Sequence, residues 1–318
     1  MAARPLLIVI LAAGKGTRMR SAVPKVMHLI AGRTLLAWVL AAAKAAGAAK
    51  LAIVVGPDMD VVAQEAGTGS GDCEIFVQQG QRGTGDAVRA ARAAIAAHQG
   101  DIVVLFGDTP FVVPATIGAV ARALADGPAM SVVGFEAGDP SGYGRVLRDG
   151  GGKVAAIREH KDASAEERRV TFCNSGVMGF RSETALAILD AIGNANAKGE
   201  YYLTDAVEIA RRQGLEVSAV ACPEREVLGI NDRAQLAGAE ALMQARLRRQ
   251  AMAAGATLVA PETVFLSHDT CLGRDVVVEP FVVFGPGVVV GDNVTIRAFT
   301  HIVGADRKSS QGASIGDG

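Results

Sequence analysis

The chain has 318 residues, of which 50% are hydrophobic and 20% charged, with a net charge of −1. This length predicts two or three structural units, and the near-neutral charge excludes bulk attraction to nucleic acid or to an anionic membrane. No apolar run approaches the ~18 residues of a membrane-spanning helix, so we expect no membrane insertion, and any polyanion site must be a local cluster of cations.

Short apolar runs alternate with alanine-rich helical segments along residues 6–135. This alternation is typical of a mainly parallel sheet with helices on both faces. Ligands of such sheets bind beyond the carboxyl ends of the strands, where this sequence has the small or polar loops "AAGKGTR", "GPD", "QQGQRGTG" and "GDTP". We therefore expect one cleft lined by these loops. The predicted strands are Leu6–Leu11, Leu51–Val55, Glu74–Val77, Ile102–Phe106 and Met130–Phe135, with helices near residues 34–46, 59–66, 84–97 and 114–125.

The loop "LAAGKGTRM" directly follows the apolar stretch of the first predicted strand and has the character of a phosphate-binding turn. Its glycines let backbone N–H groups approach oxyanions, and Lys15 and Arg18 add positive charge. A P-loop is excluded because Gly16 follows Lys15 where Ser or Thr is required. A dinucleotide fingerprint fails because Met19 occupies the place of its third glycine. A signal peptide is the alternative interpretation of the same stretch, and the basic residues that follow argue against it.

The four cysteines and five histidines are scattered along the chain. They form no C-x-x-C pair and no cluster with the spacing of metal ligands. Scattered cysteines of this kind are typical of reduced thiols in the cytoplasm. We therefore expect a cytoplasmic location, with no disulfide framework and no zinc site.

A change of hydrophobic period marks the last third of the chain. Residues 234–254 predict one uninterrupted helix, after which apolar residues recur every six positions. A six-residue period is typical of a parallel β-helix, in which three repeats make one triangular coil. The period fails after residue 304, where Lys308 and Ser314 take the expected apolar positions and Ile315 is out of phase, so fewer than three coils are predicted. Counted from Ala260, the apolar positions are Leu266, Leu272, Val278, Phe284, Val290, Ile296 and Ile302.

Taken together, the loops, sheet and hexads resemble the bifunctional bacterial N-acetylglucosamine-1-phosphate uridyltransferase/glucosamine-1-phosphate acetyltransferase family. The resemblance covers residues 5–304. It implies a Rossmann-like α/β nucleotidyltransferase domain over residues 1–232, a linker helix over 233–255 and the start of a left-handed parallel β-helix over 256–318. It is carried by "LAAGKGTRM" and "PKVMH", followed in order by "QQGQRGTGDA", "GDTP", "GYGRV", "REHKDA", "NSG", "GEYYLTD" and "GIND".

The resemblance also implies which residues form the site. The nucleotide would contact Leu11, Ala12, Gly14, Lys25, Gln78, Gly83 and Thr84. The amino sugar would contact Gly144, Glu159, Asn174 and Tyr202. Asp108 and Asn231 would hold Mg²⁺, which commonly takes only one or two protein ligands. The catalytic residues would be Arg18, Lys25 and Asp108.

Structural roles are the alternatives for several of these side chains. Asp108 could cap the helix after Pro110, and Gln78 could be an ordinary polar residue at the end of a strand. Glu159 could be an exposed charge, and Tyr202 could be a packing aromatic residue.

The reaction implied is uridylyl transfer from UTP to N-acetylglucosamine 1-phosphate, which gives pyrophosphate and the UDP-N-acetylglucosamine used in peptidoglycan and lipopolysaccharide synthesis. In the family, acetyl transfer takes place between later β-helix coils of a homotrimer. For this chain we therefore expect no acetyl transfer, and a monomer or weak oligomer. Residues 305–318 depart from the family pattern. The alternatives are a related enzyme with another base or sugar, and a non-catalytic nucleotide-binding scaffold.

Overall fold

The computed structural model describes residues 4–67, residues 73–304 and the short strand Ser314–Ile315. The chain divides into two compact units, one of residues 1–27 and 35–229, the other of residues 28–34 and 230–318. The grouping of residues 28–34 with the second unit was not anticipated from the sequence. The predicted boundaries after residues 232 and 255 stay a prediction.

Strands and helices alternate through the first two-thirds of the chain, as the apolar pattern predicts. Two short strands, β2 and β3, form a hairpin that belongs to the second unit. In chain order the elements are β1 (Leu6–Leu11), β2 (Leu29–Ile30), β3 (Arg33–Thr34), α1 (Leu35–Ala45), β4 (Lys50–Val55), α2 (Asp60–Gly67), β5 (Cys73–Val77), α3 (Thr84–Ala90), α4 (Arg92–Ala97), β6 (Asp101–Phe106), α5 (Pro114–Ala125), β7 (Met130–Glu136), β8 (Arg145–Arg148), β9 (Val154–Arg158), β10 (Phe172–Arg181), α6 (Ser182–Asp190), α7 (Asp205–Arg212) and β11 (Val217–Ala221).

One sheet organises the first unit, with the strand order β11-β7-β10-β6-β1-β4-β5 and the β8–β9 hairpin attached to β10. Strand β1 is parallel to both β4 and β6, and β4 is parallel to β5. Only β10 runs antiparallel to its neighbours β6 and β7 along this path of the described sheet. The mainly parallel sheet is therefore confirmed. The helical stretch predicted at 84–97 is two helices, α3 and α4, separated at Ala91.

Both faces of the central strands are buried. On β1, Leu7 and Val9 pack in a core with residues of α3, α4, α6 and α7. Ile8 and Ile10 pack in a second core with residues of α1 and α5. Because helices cover both faces, β1 is apolar at every position, which explains the run "LLIVIL" as a core strand. Ligand access is left to the ends of the strands.

The second unit combines a long helix with stacked two-residue strands. The helix begins after Asp232, whose side chain accepts a hydrogen bond from the backbone N–H of Gln235 at 2.8 Å. The strands form the parallel stacks β12-β14-β17, β13-β16-β19 and β15-β18, as at the start of a β-helix. No helix in the described part of the chain is long and apolar enough to cross a bilayer. The elements are α8 (Arg233–Ala253), β12 (Thr257–Leu258), β13 (Cys271–Leu272), β14 (Val277–Val278), β15 (Val283–Phe284), β16 (Val289–Val290), β17 (Thr295–Ile296), β18 (His301–Ile302) and β19 (Ser314–Ile315).

The first coil of the repeat is longer than the three hexads that the sequence predicts for one coil. Leu258, and not Ala260, pairs with Val278 in the next coil. The extra length is taken up by a 3-10 turn at Pro261–Thr263, which begins directly after Ala260. Counting the hexads from Ala260 was therefore wrong by two residues. From Leu266 onward the predicted positions are buried, apart from the half-buried Leu272.

The six-residue period is broken after residue 304, as predicted, although one further strand is stacked on the repeat. Strand β19 pairs in parallel with β16, and Ile315 aligns with Val290. In the preceding coil, Leu272 pairs with Val290. More residues separate Val290 from Ile315 than separate Leu272 from Val290, so the last coil is longer. Ile315, out of phase in the sequence, thus returns to the register of the stack. The predicted apolar position Lys308 lies outside the described residues.

Candidate functional site

A cavity of about 830 Å³ lies at the carboxyl ends of the parallel strands of the first unit. Its walls include residues 11–15 after β1, 57–59 after β4, 78–81 after β5 and Asp108 after β6. This is the cleft that the loop sequences predict. The lining includes most of the predicted site residues, namely Leu11, Ala12, Gly14, Lys25, Gln78, Gly83, Thr84, Asp108, Glu159 and Tyr202.

A lysine and a carboxylate meet at one end of this cavity. The Lys25 ammonium donates a hydrogen bond to the carboxylate of Asp108, and the two side chains are only 13% and 16% exposed. The glycine-rich loop passes directly over Lys25, since a Cβ on Gly16 would lie 2.6 Å from the Lys25 Cβ. Gly16 also has φ +60°, which favours glycine. With Lys15 lining the same wall, this end is suited to phosphate.

Asp108 is free of the capping role that was its structural alternative. Helix α5 begins after Val113, and its cap has no side-chain hydrogen bond. Among the described residues no group of three or more His, Cys, Asp or Glu side chains could hold a metal. The Asp108 carboxylate alone nevertheless fits Mg²⁺, which commonly takes one or two protein ligands and fills its shell with water and substrate oxygens.

Asn231, the other predicted metal ligand, lies in the second unit. It directly precedes Asp232, the cap of α8, and its backbone N–H donates to the side-chain oxygen of Gln235 at 2.7 Å. The metal-binding role of Asn231 stays a prediction.

The loop after β5 is docked on a distant segment of the same unit. The backbone N–H of Gly85 donates to the Tyr201 carbonyl, and that of Tyr201 donates to the Arg82 carbonyl, each at 2.8 Å. Gly83 has φ +112°, and a Cβ there would lie 2.6 Å from the Tyr201 carbonyl oxygen. The Thr84 hydroxyl accepts from the backbone N–H of Leu203 at 3.0 Å. Two predicted nucleotide residues are thus held against the segment that carries Tyr202.

Glu159 and Tyr202 also line the cavity, and we call the region around Glu159 its acidic end. Glu159 accepts a hydrogen bond from the Thr204 hydroxyl at 3.0 Å. Burial raises the pKa of Glu159, against the smaller lowering effects of Thr204 and Lys198. Burial, followed by nearby carboxylates such as Asp162, raises the pKa of Tyr202 to about 12. Its hydroxyl therefore stays protonated and can donate a hydrogen bond. Such a set of groups suits the hydroxyls and amide of a sugar.

Gly144 and Asn174 lie outside the lining of the cavity but next to this acidic end. The backbone N–H of Asn174, on β10, donates to the Gly144 carbonyl at 2.8 Å. A Cβ on Gly144 would lie 3.6 Å from a carboxylate oxygen of Glu159. Three of the four predicted sugar residues are therefore neighbours, and the fourth, Tyr202, lines the cavity.

The predicted cation Arg18 is not part of the cavity lining, and several lining residues were not predicted. Arg18 lies in the 3-10 turn Thr17–Met19 and is exposed. Gln81 was missed, although its side-chain amide donates to the Ala13 carbonyl at 2.9 Å and so joins two of the lining loops. The strand-end loop "GPD" contains the lining residue Asp58, and the segment "GEYY" contains the lining residue Glu200. Lys198, which also lines the cavity, directly precedes "GEYY".

We expect Glu159→Gln to stabilise the fold at neutral pH, because it removes a half-buried charge and keeps an acceptor for Thr204. A carboxyl whose folded-state pKa is raised above its unfolded value contributes stability while it is protonated, and this contribution is lost as pH rises through the folded-state pKa. The gain in unfolding free energy should therefore be small near pH 4 and larger near pH 7 in urea titrations. An equal difference at the two pH values would contradict the assignment of a raised pKa.

Comparison with known proteins places these features in one family. The MobA-like NTP transferase domain matches residues 8–174, and the bacterial transferase hexapeptide (six repeats) matches residues 272–304. The chain is 58% identical over 316 residues to the bifunctional protein GlmU of Azorhizobium caulinodans, covering 99% of this chain and 70% of that protein. It is 56% identical to the protein of the same name from Xanthobacter autotrophicus, with the same coverage. For that of a Bradyrhizobium species the identity is 55%, over 95% of this chain and 67% of the relative.

The matches treat residues 305–318 unequally. The alignment with the Azorhizobium protein takes in 316 residues, whereas that with the Bradyrhizobium protein takes in 303 and the hexapeptide match ends at residue 304. The departure of residues 305–318 from the family pattern therefore stays a prediction. With an NTP transferase domain, a mainly parallel sheet and a stacked hexapeptide region, the chain belongs to the GlmU family of nucleotidyltransferases.

Proposed function

We propose that this protein transfers the uridylyl group of UTP to N-acetyl-α-D-glucosamine 1-phosphate, giving UDP-N-acetylglucosamine and pyrophosphate. One observation carries the proposal: a single cavity is lined both by the cations Lys15 and Lys25 and by the polar groups of Glu159 and Tyr202. The first suit a triphosphate and the second suit a sugar. We expect the protein to act in the cytoplasm.

The chemistry needs little from protein acids and bases. The phosphate oxygen of the sugar phosphate is already an anionic nucleophile. It attacks the α-phosphorus in line, and the electron pair of the broken bond leaves with pyrophosphate. The task of the site is to align two polyanions and to offset their charge.

Lys25 and Asp108 are the residues that we assign to the reacting phosphates. Lys25 contributes positive charge next to the leaving pyrophosphate, and the Gly14–Gly16 backbone supplies N–H donors to the triphosphate. Asp108 would hold Mg²⁺. When bound, this ion supplies charge that offsets the negative charge developing on the phosphate oxygens. Arg18, exposed at the edge of the loop, would reach the triphosphate tail.

The remaining residues would select the two substrates. Gln78, Gly83 and Thr84, with the backbone of Leu11 and Ala12, would bind the uracil and ribose. Glu159, Asn174 and Tyr202 would bind the sugar hydroxyls and the acetamido group, and Gly144 leaves room beside them. Wrong partners are rejected because they leave polar groups of the pocket unpaired.

Pyrophosphate release from UTP, dTTP, CTP and GTP, each with Mg²⁺ and N-acetylglucosamine 1-phosphate, tests the proposal directly. We expect UTP to be the strongly preferred nucleotide, and glucosamine 1-phosphate to replace the acetylated sugar poorly. Preference for another nucleotide would show that the protein catalyses the same type of transfer with a different base specificity. No release with any of them would favour the non-catalytic scaffold.

Gln78→Ala should impair recognition of the nucleotide more than the chemical step. We assign this side chain to the base and give it no contact with the reacting phosphates. We expect the KM for UTP to rise by about tenfold, the loss typical of one buried hydrogen bond, with a smaller change in kcat. Steady-state kinetics with varied UTP measure both parameters. Gln213→Ala, at the exposed end of α7, is the control and should leave both unchanged. A fall in kcat alone would contradict the role of Gln78.

A further inference from the structure

We infer that Asp86 determines base specificity by fixing which atom of the Gln78 amide faces the nucleotide. The inference deepens the proposed function and rests on it. Asp86 lies in the first turn of α3, two residues beyond the predicted nucleotide residue Thr84. Its role is one of positioning, because the contact with the base would be made by Gln78.

The two donor hydrogens of the Gln78 amide are both engaged by the protein. Its nitrogen Nε2 donates to the Gly83 carbonyl at 3.0 Å and to Oδ2 of Asp86 at 2.9 Å. Both partners are acceptors, so the nitrogen must face them and the carbonyl oxygen must face away. Among the described residues, the side-chain oxygen of Gln78 has no hydrogen-bond partner, and Gln78 lines the cavity. The amide therefore offers the cavity an acceptor.

Asp86 is itself held in one orientation. The same oxygen, Oδ2, also accepts from the backbone N–H of Arg82 at 3.1 Å, and Oδ1 accepts from the Arg82 guanidinium at 3.2 Å. Burial works against ionisation of Asp86, but the hydrogen bonds from Gln78 and Arg82 outweigh it and lower its pKa. The carboxylate is thus ionised at neutral pH and can only accept.

An acceptor at this point favours a pyrimidine that presents a ring N–H. Uracil carries a hydrogen on N3, whereas N3 of cytosine is an acceptor with a lone pair. Two acceptors facing each other repel and leave a buried polar atom unpaired, which is a strong basis for discrimination. If the Gln78 amide turned over, it would present a donor and this preference would be lost.

The test compares kcat/KM for UTP and for CTP in four proteins. In Asp86→Ala the Gly83 carbonyl alone orients the amide, so we expect the UTP-to-CTP ratio to fall by about tenfold or more. In Asp86→Asn the ratio should be largely retained, because the Asn carbonyl oxygen can take the place of Oδ2 toward two donors. Arg82→Ala is the matched control: it removes the exposed ion pair to Asp86 and leaves the bond to Gln78, so the ratio should be unchanged.

A double-mutant cycle shows whether Asp86 acts through Gln78. In a Gln78→Ala background, Asp86→Ala should produce no further change in the ratio. Should Asp86→Ala fail to fold, Asp86→Leu supplies a side chain of similar shape without an acceptor and carries the same expectation. An unchanged ratio in either deletion variant, or equal losses with and without Gln78, would overturn the inference. If the wild-type protein used no UTP at all, the proposed function would fail instead, so the two failures are distinguishable.

Discussion

Asp108→Asn should lower turnover by about a hundredfold to a thousandfold at saturating substrates, while the fold remains intact. The side chain lies directly after the core strand β6 and faces the cavity, where its hydrogen bond with Lys25 can be kept by the amide oxygen. The charge that would hold Mg²⁺ is lost, and removing a metal ligand commonly costs several kcal/mol of transition-state stabilisation. Pyrophosphate release at saturating UTP and sugar phosphate measures the effect.

The matched control is Asp58→Asn, which removes one negative charge from the same cavity. Asp58 has φ +58°, a left-handed conformation that Asn adopts readily, so the backbone should not be strained. We assign Asp58 no part in the reaction and expect most of the turnover to remain. A manganese titration followed by electron paramagnetic resonance, with UTP present, should show weakened metal binding in Asp108→Asn only. Near-normal turnover of Asp108→Asn at ordinary Mg²⁺ concentrations would show that Asp108 does not hold the metal.

The strands on which this site is built were predictable because each is a short, mainly apolar segment, and the central ones are buried along almost their whole length. Strands β1, β4, β5, β6 and β7 begin and end within one residue of the predicted bounds. Parallel strands that are buried on both faces leave this pattern in any sequence. The loop at the carboxyl end of each strand is also the next segment of the sequence. The location of residues 11–15 and of Asp108 at this edge of the sheet could therefore be predicted.

The antiparallel strand β10 was not predicted, although it is central to the sheet. Its sequence "FCNSGVMGFR" contains glycines, which normally argue against the interior of a strand. Gly179 is required there, because a Cβ would lie 2.4 Å from a methyl carbon of Val120 on α5. Helix α5 thus packs directly on the strand backbone. Close packing of this kind leaves no apolar signal in the sequence.

The residues assigned to the sugar could not be predicted from the sequence pattern. Glu159 follows β9, Asn174 lies within β10, and Tyr202 lies in the segment before α7. No periodic pattern relates these positions, and they were assigned only through resemblance to the family. Asp86 was missed for a related reason: its effect on Gln78 depends on a turn of α3 that brings the carboxylate back to the end of β5.

The second large effect is expected for Lys25→Ala. We predict that kcat falls by about a hundredfold or more, whereas the KM for UTP changes less. The ammonium lies against Asp108 beneath the glycine-rich loop, at the end of the cavity assigned to the reacting phosphates. Its charge is needed most in the transition state, when negative charge builds up on the departing pyrophosphate. Steady-state kinetics with both substrates varied separate the two parameters.

Two further variants distinguish the charge of Lys25 from its shape. Lys25→Met keeps most of the side-chain volume without the charge and should be as slow as Lys25→Ala. Lys25→Arg keeps the charge but spreads it over a planar fork, which can only partly replace a compact ammonium in a side chain that is only 13% exposed. We therefore expect partial recovery of kcat with arginine and none with methionine. Gln78→Ala should act mainly on KM, and Lys25→Ala mainly on kcat. If both variants lost the same factor in the same parameter, the division of roles between base recognition and phosphate chemistry would be wrong.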